Sequence, residues 1–472
     1  MKVEQIYTGC LAHGAYYIES NGEVAIVDPL REVAPYLERA EKDGAKVRYI
    51  LETHFHADFV SGHLDLAKKT GATIVYGPTA VPNFEAHVAA DGELLPLGNV
   101  TIKVLHTPGH TMESSCFLLQ DETGRDTALF SGDTLFIGDV GRPDLAQKAA
   151  NMTQEQLAAT LYDSLKYKVM PLANDVTVYP GHGAGSACGK KMSKETTDTL
   201  GNQKATNYAL RPDITREEFV QEVLTGLTPP PGYFPQNVMM NKMGYDSIDT
   251  VMERGGRALS PRAFDAAANE TDALILDTRK ADVFARGFVP NSINIAIDGS
   301  FAPWAGVMIP DVKQEILIVA EPGREQEVIT RLARVGYDYC IGYLDGGFDA
   351  WKAAGMETDD IKQVSVNEVA DMISSGREIN LLDVRKKSEY DSEHVLIAES
   401  APLDYLNESM KVINPDRTYY IHCAAGYRSM VFISALRARG YRNLIDVAGG
   451  MDAIKKSGRF QLSEYVCPTT LL

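Results

Sequence analysis

Between residues 3 and 185 the chain alternates short apolar runs, rich in β-branched and aromatic residues, with amphipathic stretches. The runs AYYIES, EVAIVD, VRYILET, ATIVYG, VTIKVLHT, SSCFLLQ, TALFSGD and VTVYPGH read as strands, and PYLERAEKDG and SGHLDLAKKTG as helices. Many short strands with interspersed helices predict a two-sheet sandwich flanked by helices. Helical periodicity returns over residues 151–170, and a further helix is predicted over 192–210 after a glycine-rich loop. The segment LTPPPGYFPQN, residues 227–237, breaks regular structure and closes a first domain near residue 250.

The remainder repeats itself. LILDTRKADVFARGFVPNSINI, from Leu274, aligns with LLDVRKKSEYDSEHVLIAESAPL, from Leu381, and the two copies run on in parallel to GYLDGGFDAW and DVAGGMDAI. In each copy a buried strand ends in a polar loop that opens an amphipathic helix, which is a βα unit of a parallel sheet. Two α/β domains follow, at 255–357 and 362–472, after a first domain at 1–250.

Charge and cysteine usage narrow the classes of partner. With 46 basic against 64 acidic residues, net −18, the chain has no electrostatic grip on nucleic acid or anionic lipid. The N-terminal MKVEQIYTGCLAHGAYYIES has no basic stretch leading into an apolar core, and no window suits a membrane span; a cytoplasmic protein with no membrane contact is expected. The 6 cysteines are scattered singly, so reduced thiols are expected and each has to be argued locally.

The chemistry-bearing residues fall at strand ends. His54 and His56 of T-H-F-H-A-D-F follow the strand RYILE, His110 follows VTIKVLHT, and Asp133 follows TALF. Three imidazoles and a carboxylate so placed suit a first-row transition metal, iron or zinc, rather than calcium or magnesium.

These residues resemble the metallo-β-lactamase superfamily, whose H-x-H-x-D-H run is followed by a His, an Asp and a final G-H, here YPGHG with His182. The resemblance covers about residues 1–250 and implies an αββα fold. Where binuclear hydrolases of that superfamily carry a second-site histidine, this chain has Phe59, which offers no lone pair; a single ion is expected. H-A-D, GRPDL and YPGHGAGSACGK are similar to the persulfide dioxygenases of the superfamily. That likeness implies one Fe(II) per chain, rather than zinc, on a facial triad of His54, His110 and Asp133. It puts His56 in a supporting role, with direct ligation as the alternative, makes Asp58 a buried hydrogen-bonding partner, and leaves His182 as a supporting residue or further ligand. Arg142 matches a contact to an anionic substrate, against an internal pair with Asp144. Cys188, six residues past His182, is a candidate at the pocket mouth, against simple packing.

In the last copy, IHCAAGYRS places Cys423 after a strand and Arg428 just before the helix SMVFISALRARG. Such a loop turns backbone amides and a helix N-terminus toward the sulfur, which favours a thiolate or persulfide anion. With LLDVR before it and VAGGMDAI after it, the segment resembles a rhodanese sulfurtransferase over about residues 362–460. The resemblance makes Cys423 the sulfur-carrying nucleophile and has Ala424, Ala425, Gly426, Tyr427 and Arg428 bind its anionic cargo. Small neighbours are expected to leave the sulfur accessible. In the first copy Glu321 replaces the cysteine and Pro322 removes an amide donor, so that copy is a degenerate rhodanese-like domain; Cys340 belongs to its core.

The three domains together are similar to bacterial persulfide dioxygenase–sulfurtransferase fusions. Implied are glutathione persulfide, coenzyme A persulfide or a similar thiol persulfide, dioxygen, and sulfite and thiosulfate as reactants, and a homo-oligomer. Two other classes remain open: a zinc-dependent thioester hydrolase of the glyoxalase II type with an appended sulfurtransferase, and a persulfide carrier without enzymatic oxidation.

Overall fold

The computed structural model describes residues 1–227 and 229–467. Residue 228, within the 227–237 segment, and residues 468–472, at the end of the third predicted domain, lie outside the described residues. The chain divides into two compact units, residues 1–250 with 332–336, and 251–331 with 337–472.

In the first unit two six-stranded sheets face each other. One runs Lys2–Thr8, His13–Ser20, Glu23–Val27, Lys46–Glu52, Thr73–Tyr76, His87–Val88, with every neighbour in chain order. The other runs Asp198–Thr199, Thr177–Pro180, Asp126–Gly132, Ser115–Gln120, Val100–His106, Leu94–Leu97. Successive side chains of a strand point to opposite faces, and here both faces are covered. Tyr16 and Ile18, with Ala25 and Val27, join Phe117, Phe130 and Leu95 between the sheets. Their neighbours Ala15, Tyr17, Val24 and Ile26 pack with Tyr36 and Leu66, from the helices Ala34–Lys42 and His63–Thr70. On the far side Leu118 and Leu129 meet Leu161 and Phe219, from Gln154–Ser164 and Arg216–Leu224. This is the expected αββα arrangement, and its strands read as continuous apolar runs because neither face is wet.

The helix expected over 192–210 is cut short. Helix begins only at Leu200, after a two-residue strand, and ends at Thr206. Residues 191–197 are irregular, Ser193 and the 190–191 amides being held instead by Ile137 O and the Asp139 carboxylate. The 227–237 segment ends in a helix, Phe234–Met243, with Pro235 in its first turn, where a missing N–H costs nothing. The helix expected over 151–170 runs from a Thr153–Gln156 capping box to Ser164 and widens into a π-turn over Leu165–Val169.

In the second unit the repeat is copied in topology. Both copies are five-stranded parallel sheets with the same order: Ala258–Leu259, Cys340–Leu344, Ile316–Val319, Leu274–Asp277, Ile293–Asn294, and then Gln363–Ser365, Leu444–Ala448, Tyr419–His422, Asn380–Asp383, Ala398–Ser400. Cys340 is buried in its strand. Each copy keeps the same internal pair, Arg279 on Asp277 and Arg385 on Asp383, at the end of Leu274–Asp277 and Asn380–Asp383 respectively. Among the described residues no helix is long and apolar enough to cross a membrane.

Candidate metal centre and cysteine loop

Five strands of the first unit end at one place. Asp28 leaves the strand Glu23–Val27, His54 and His56 leave Lys46–Glu52, Asp133 leaves Asp126–Gly132, and His182 leaves Thr177–Pro180, while His110 comes from the loop after Val100–His106. Gly132, at φ +49, allows the close approach: a β-carbon there would meet the Thr53 hydroxyl at 2.5 Å.

His54, His110 and Asp133 form one group, their donor atoms all within 4.8 Å of one another and all three buried. The two imidazole rings lie 4.9 Å apart and near perpendicular, and His110 Nε2 is 3.5 Å from Asp133 Oδ2. Hydrogen bonds behind the rings fix which nitrogen faces inward. His110 Nδ1 donates to the Arg142 carbonyl at 2.8 Å. His54 Nδ1 meets the Thr53 hydroxyl oxygen at 3.0 Å, and that hydroxyl itself donates to Asp28 Oδ2 at 2.8 Å. Both histidines therefore turn an Nε2 lone pair toward Asp133, the outer support that metal-binding imidazoles need.

A second group, Asp58, His182 and Cys188, adjoins the first. His182 Nδ1 donates to the Ala12 carbonyl, and its Nε2 lies 3.3 Å from Asp58 Oδ2 and 3.5 Å from Asp133 Oδ1. His56 belongs to neither. Its Nε2 is 3.1 Å from Asp28 Oδ1 and 3.5 Å from Glu52 Oε2, forming a third buried group, and Phe59 stacks on its ring at 4.3 Å.

Burial dominates the electrostatics. It pushes His110 and His182 down to about 4, and His54 and His56 well below the usual imidazole range, so the rings are neutral and free to donate lone pairs. The same burial pushes Asp58 up to about 6 and Asp133 well up, the latter helped by the neighbouring Asp58 carboxylate. Both Asp133 oxygens, Asp58 Oδ1 and His182 Nε2 lack a hydrogen-bond partner. So many buried, unpaired acceptors are costly unless a cation compensates them, so the donor set fits a metal ion.

Arg142 and Cys188 flank this pocket and are tied together: the Arg142 amide donates to the Cys188 carbonyl at 3.0 Å. The Arg142 guanidinium grips Asp144 with two bonds of 2.7 Å and reaches the Ala187 carbonyl. It is thus the internal pair rather than an open fork. Cys188 is 1% exposed, and burial together with Asp58 and Asp133 holds its thiol well up.

In the last copy Cys423 ends the strand Tyr419–His422, and Gly426, at φ +106, caps the helix Tyr427–Ala438. One loop amide, that of Gly426, donates to Cys423 Sγ at 3.1 Å, and the sulfur lies 3.7 Å from Ser429 Oγ. The loop carbonyls are anchored from the VAGGMD turn, Cys423 O by the Met451 amide and Ala424 O by that of Asp452. Contrary to expectation Cys423 is only 1% exposed; Ala425 is the exposed residue of the loop. Small side chains alone do not uncover a sulfur packed under its own loop. Arg428 places its fork on Glu389, with Nη2 2.9 Å from Oε1. Tyr427 points out of the loop, its hydroxyl donating to the Ala296 carbonyl of the degenerate copy at 2.9 Å. In that copy Arg324 lies bidentate on Asp298.

A sequence model of the metallo-beta-lactamase superfamily matches residues 8–182, and a rhodanese-like domain model matches 260–354 and 365–457. The crystal structure of a metallo-beta-lactamase from Staphylococcus aureus is 31% identical, covers 73% of this chain and 98% of its own, and superposes with a TM-score of 0.64. The chain belongs to the metallo-beta-lactamase superfamily. Similar curated members are a "probable hydroxyacylglutathione hydrolase" of Schizosaccharomyces pombe and a hydroxyacylglutathione hydrolase of Methylococcus capsulatus. The first is 35% identical over 182 residues, 38% of this chain. The second is 31% identical over 211 residues, 41% of this chain and 79% of its own length. The chain spans 66% of the length of the yeast relative, just under two thirds. This superfamily member therefore joins one metallo-beta-lactamase domain to two rhodanese-like domains.

Asp28, Glu52 and Glu389 are not among the residues expected from the sequence. Asp28 ends a strand just as the recognised residues do, in EVAIVDP, which is the signal that would have found it. Glu52 and Glu389 carry no spacing that marks them.

Proposed function

We propose that the first domain oxidises a low-molecular-weight thiol persulfide, such as glutathione or coenzyme A persulfide, to sulfite at one non-haem iron(II), and that Cys423 couples this to sulfur transfer involving sulfite and thiosulfate. The observation that carries the reading is the donor set: two histidines and one carboxylate stand together, with His56 turned to Asp28 and Phe59 standing where a second-site histidine would. Two nitrogens and a carboxylate with open positions suit iron(II).

His54, His110 and Asp133 would hold the ion, which when bound supplies open coordination positions and the electron transfer that dioxygen chemistry requires. One persulfide, one dioxygen and one water give one thiol, one sulfite and two protons. His182, its Nδ1 committed to Ala12, presents Nε2 as an acceptor for a proton from the substrate side. Arg142, engaged by Asp144, holds the 187–188 loop over the site and leaves its backbone, rather than its charge, to shape the entrance.

Cys423, carrying a persulfide, would pass its outer sulfur to sulfite: the S–S bond breaks, a new bond to sulfite sulfur forms thiosulfate, and the cysteine leaves as thiolate. The reverse transfer uses the same atoms. The Gly426 amide faces the sulfur and steadies that charge.

Zinc-dependent thioester hydrolysis is the second reading. It is favoured by the names of the curated relatives and by the Asp58–His182–Cys188 group, which offers donors to a further ion. Metal analysis after anaerobic reconstitution, followed by parallel assays on glutathione persulfide and S-lactoylglutathione, separates the two. One iron per chain with oxygen uptake supports the dioxygenase; two zinc ions with thioester hydrolysis overturns it.

A further inference from the structure

His54 and His56 sit two residues apart on one extended segment, yet their inner nitrogens meet opposite surroundings, and one carboxylate is responsible for both. Asp28 turns back under the segment with its backbone at φ +47. Through Oδ2 it accepts the Thr53 hydroxyl at 2.8 Å, which orients His54 so that Nε2 stays open. Through Oδ1 it accepts the Thr53 amide at 2.8 Å and lies 3.1 Å from His56 Nε2. Glu52 adds a second carboxylate, Oε2, 3.5 Å from that same nitrogen. It is held there by the Ser61 hydroxyl, which donates to Oε1 at 2.6 Å, while Oε2 and His56 Nε2 face each other with no hydrogen bond to any other group. Asp28, Glu52 and His56 are 1%, 0% and 0% exposed, so the three groups are shut off from bulk solvent. Asn241, bonded to the His56 and Phe59 carbonyls, and the stacked Phe59 ring fix the segment in this pose.

We propose that Glu52, acting with Asp28, selects the ligand set of the neighbouring centre by capturing His56 and keeping a third imidazole out of it. The inference rests on the metal reading above and names the residue that decides it. Asp28 serves both histidines and cannot discriminate between them. Glu52 contacts His56 and not His54, which makes it a positioning residue for the two-histidine, one-carboxylate set. A third imidazole would favour zinc, whereas its exclusion leaves the positions iron(II) chemistry requires.

The test is an anaerobic competition of equal iron(II) and zinc(II) for the full chain, read by metal analysis, with the absorption spectrum of the cobalt(II)-substituted protein as a second readout. The proteins are wild type, Glu52→Ala, Glu52→Gln, His56→Ala and Glu52→Ala/His56→Ala. In Glu52→Ala the bound zinc-to-iron ratio rises about tenfold or more, the scale on which supporting residues tune metal affinity, and the cobalt spectrum gains the intensity of a site with one more nitrogen. Glu52→Gln, which keeps the Ser61 bond and the volume, moves in the same direction by less, and it carries the test should the alanine variant not fold. Both effects vanish in the double variant, and His56→Ala alone leaves the ratio at the wild-type value. A shift that survives removal of His56, or no shift in a folded Glu52 variant, overturns the proposal. Neither readout involves turnover: wild-type protein that consumes no oxygen would refute the dioxygenase reading without touching this one.

Discussion

At the level of single residues the centre is defined as much by what is missing as by what is present. Phe59 is wholly buried and lies against both His13 and His56, each ring 4.3 Å away. Phe59→His would return an imidazole next to Asp58, and on reconstitution with zinc the bound metal is expected to rise from one ion to two per chain. The cost is a polar ring in an apolar slot, about 1–3 kcal/mol of stability, visible in a thermal melt. A metal content that stays at one would show that more than this ring separates the site from its hydrolase relatives. Cys423→Ser is expected to cut sulfur transfer by on the order of 10³-fold or more, measured as thiocyanate formed from thiosulfate and cyanide, and to leave oxygen uptake unchanged. A loss of both would exclude independent steps. The donor residues were legible in the sequence because each closes an apolar run. Their partners were not: Thr53 and Asp28 are 25 positions apart, and only the sheet pairing of Val27 with Leu51 brings them together.

Among the elements, the first rhodanese-like copy has a specific contact with the second. The helix Tyr427–Ala438 packs on Ile293–Asn294, and Ser434 Oγ accepts the Asn294 amide at 2.9 Å. Beyond that strand, Gly299 at φ +133 leaves room for the Tyr427 ring, which a β-carbon there would strike at 2.9 Å. Tyr427 is thus a brace between the loop and the 296–299 segment rather than a group lining the sulfur. Tyr427→Phe removes the bond to Ala296, worth about 1 kcal/mol, and sulfur transfer is expected to fall roughly fivefold with oxygen uptake unaffected. Unchanged transfer would make the contact purely architectural. The repeat itself was plain in the sequence, since both copies share strand, loop and helix lengths. The overextended 192–210 helix shows the opposite case: the amides of Lys190 and Lys191 go to the Asp139 carboxylate and that of Ser193 to the Ile137 carbonyl, contacts that no local periodicity records.

For the whole molecule, a metal ion held only by the folded first unit links occupancy to stability. At free metal a thousandfold above the dissociation constant the linkage contributes about 4 kcal/mol, and for a unit of this size each kcal/mol moves the melting temperature by roughly 2–4 °C. Chelation is therefore expected to lower one calorimetric transition by roughly 8–16 °C and to leave the transition of the rhodanese-like unit in place. Equal shifts of both would show that the two units unfold together. Strands buried on both faces, and a parallel sheet built twice, follow from hydrophobic pattern alone. The His56 imidazole points to Asp28 and Glu52, and pattern does not reach that far.

The central claim is that this centre uses dioxygen. The most direct measurement is dissolved oxygen in a closed cell when glutathione persulfide is added to the iron(II)-loaded chain. Consumption of one dioxygen per persulfide, with equal sulfite formed, is the result expected. No oxygen consumed, with the same protein hydrolysing S-lactoylglutathione, would contradict it.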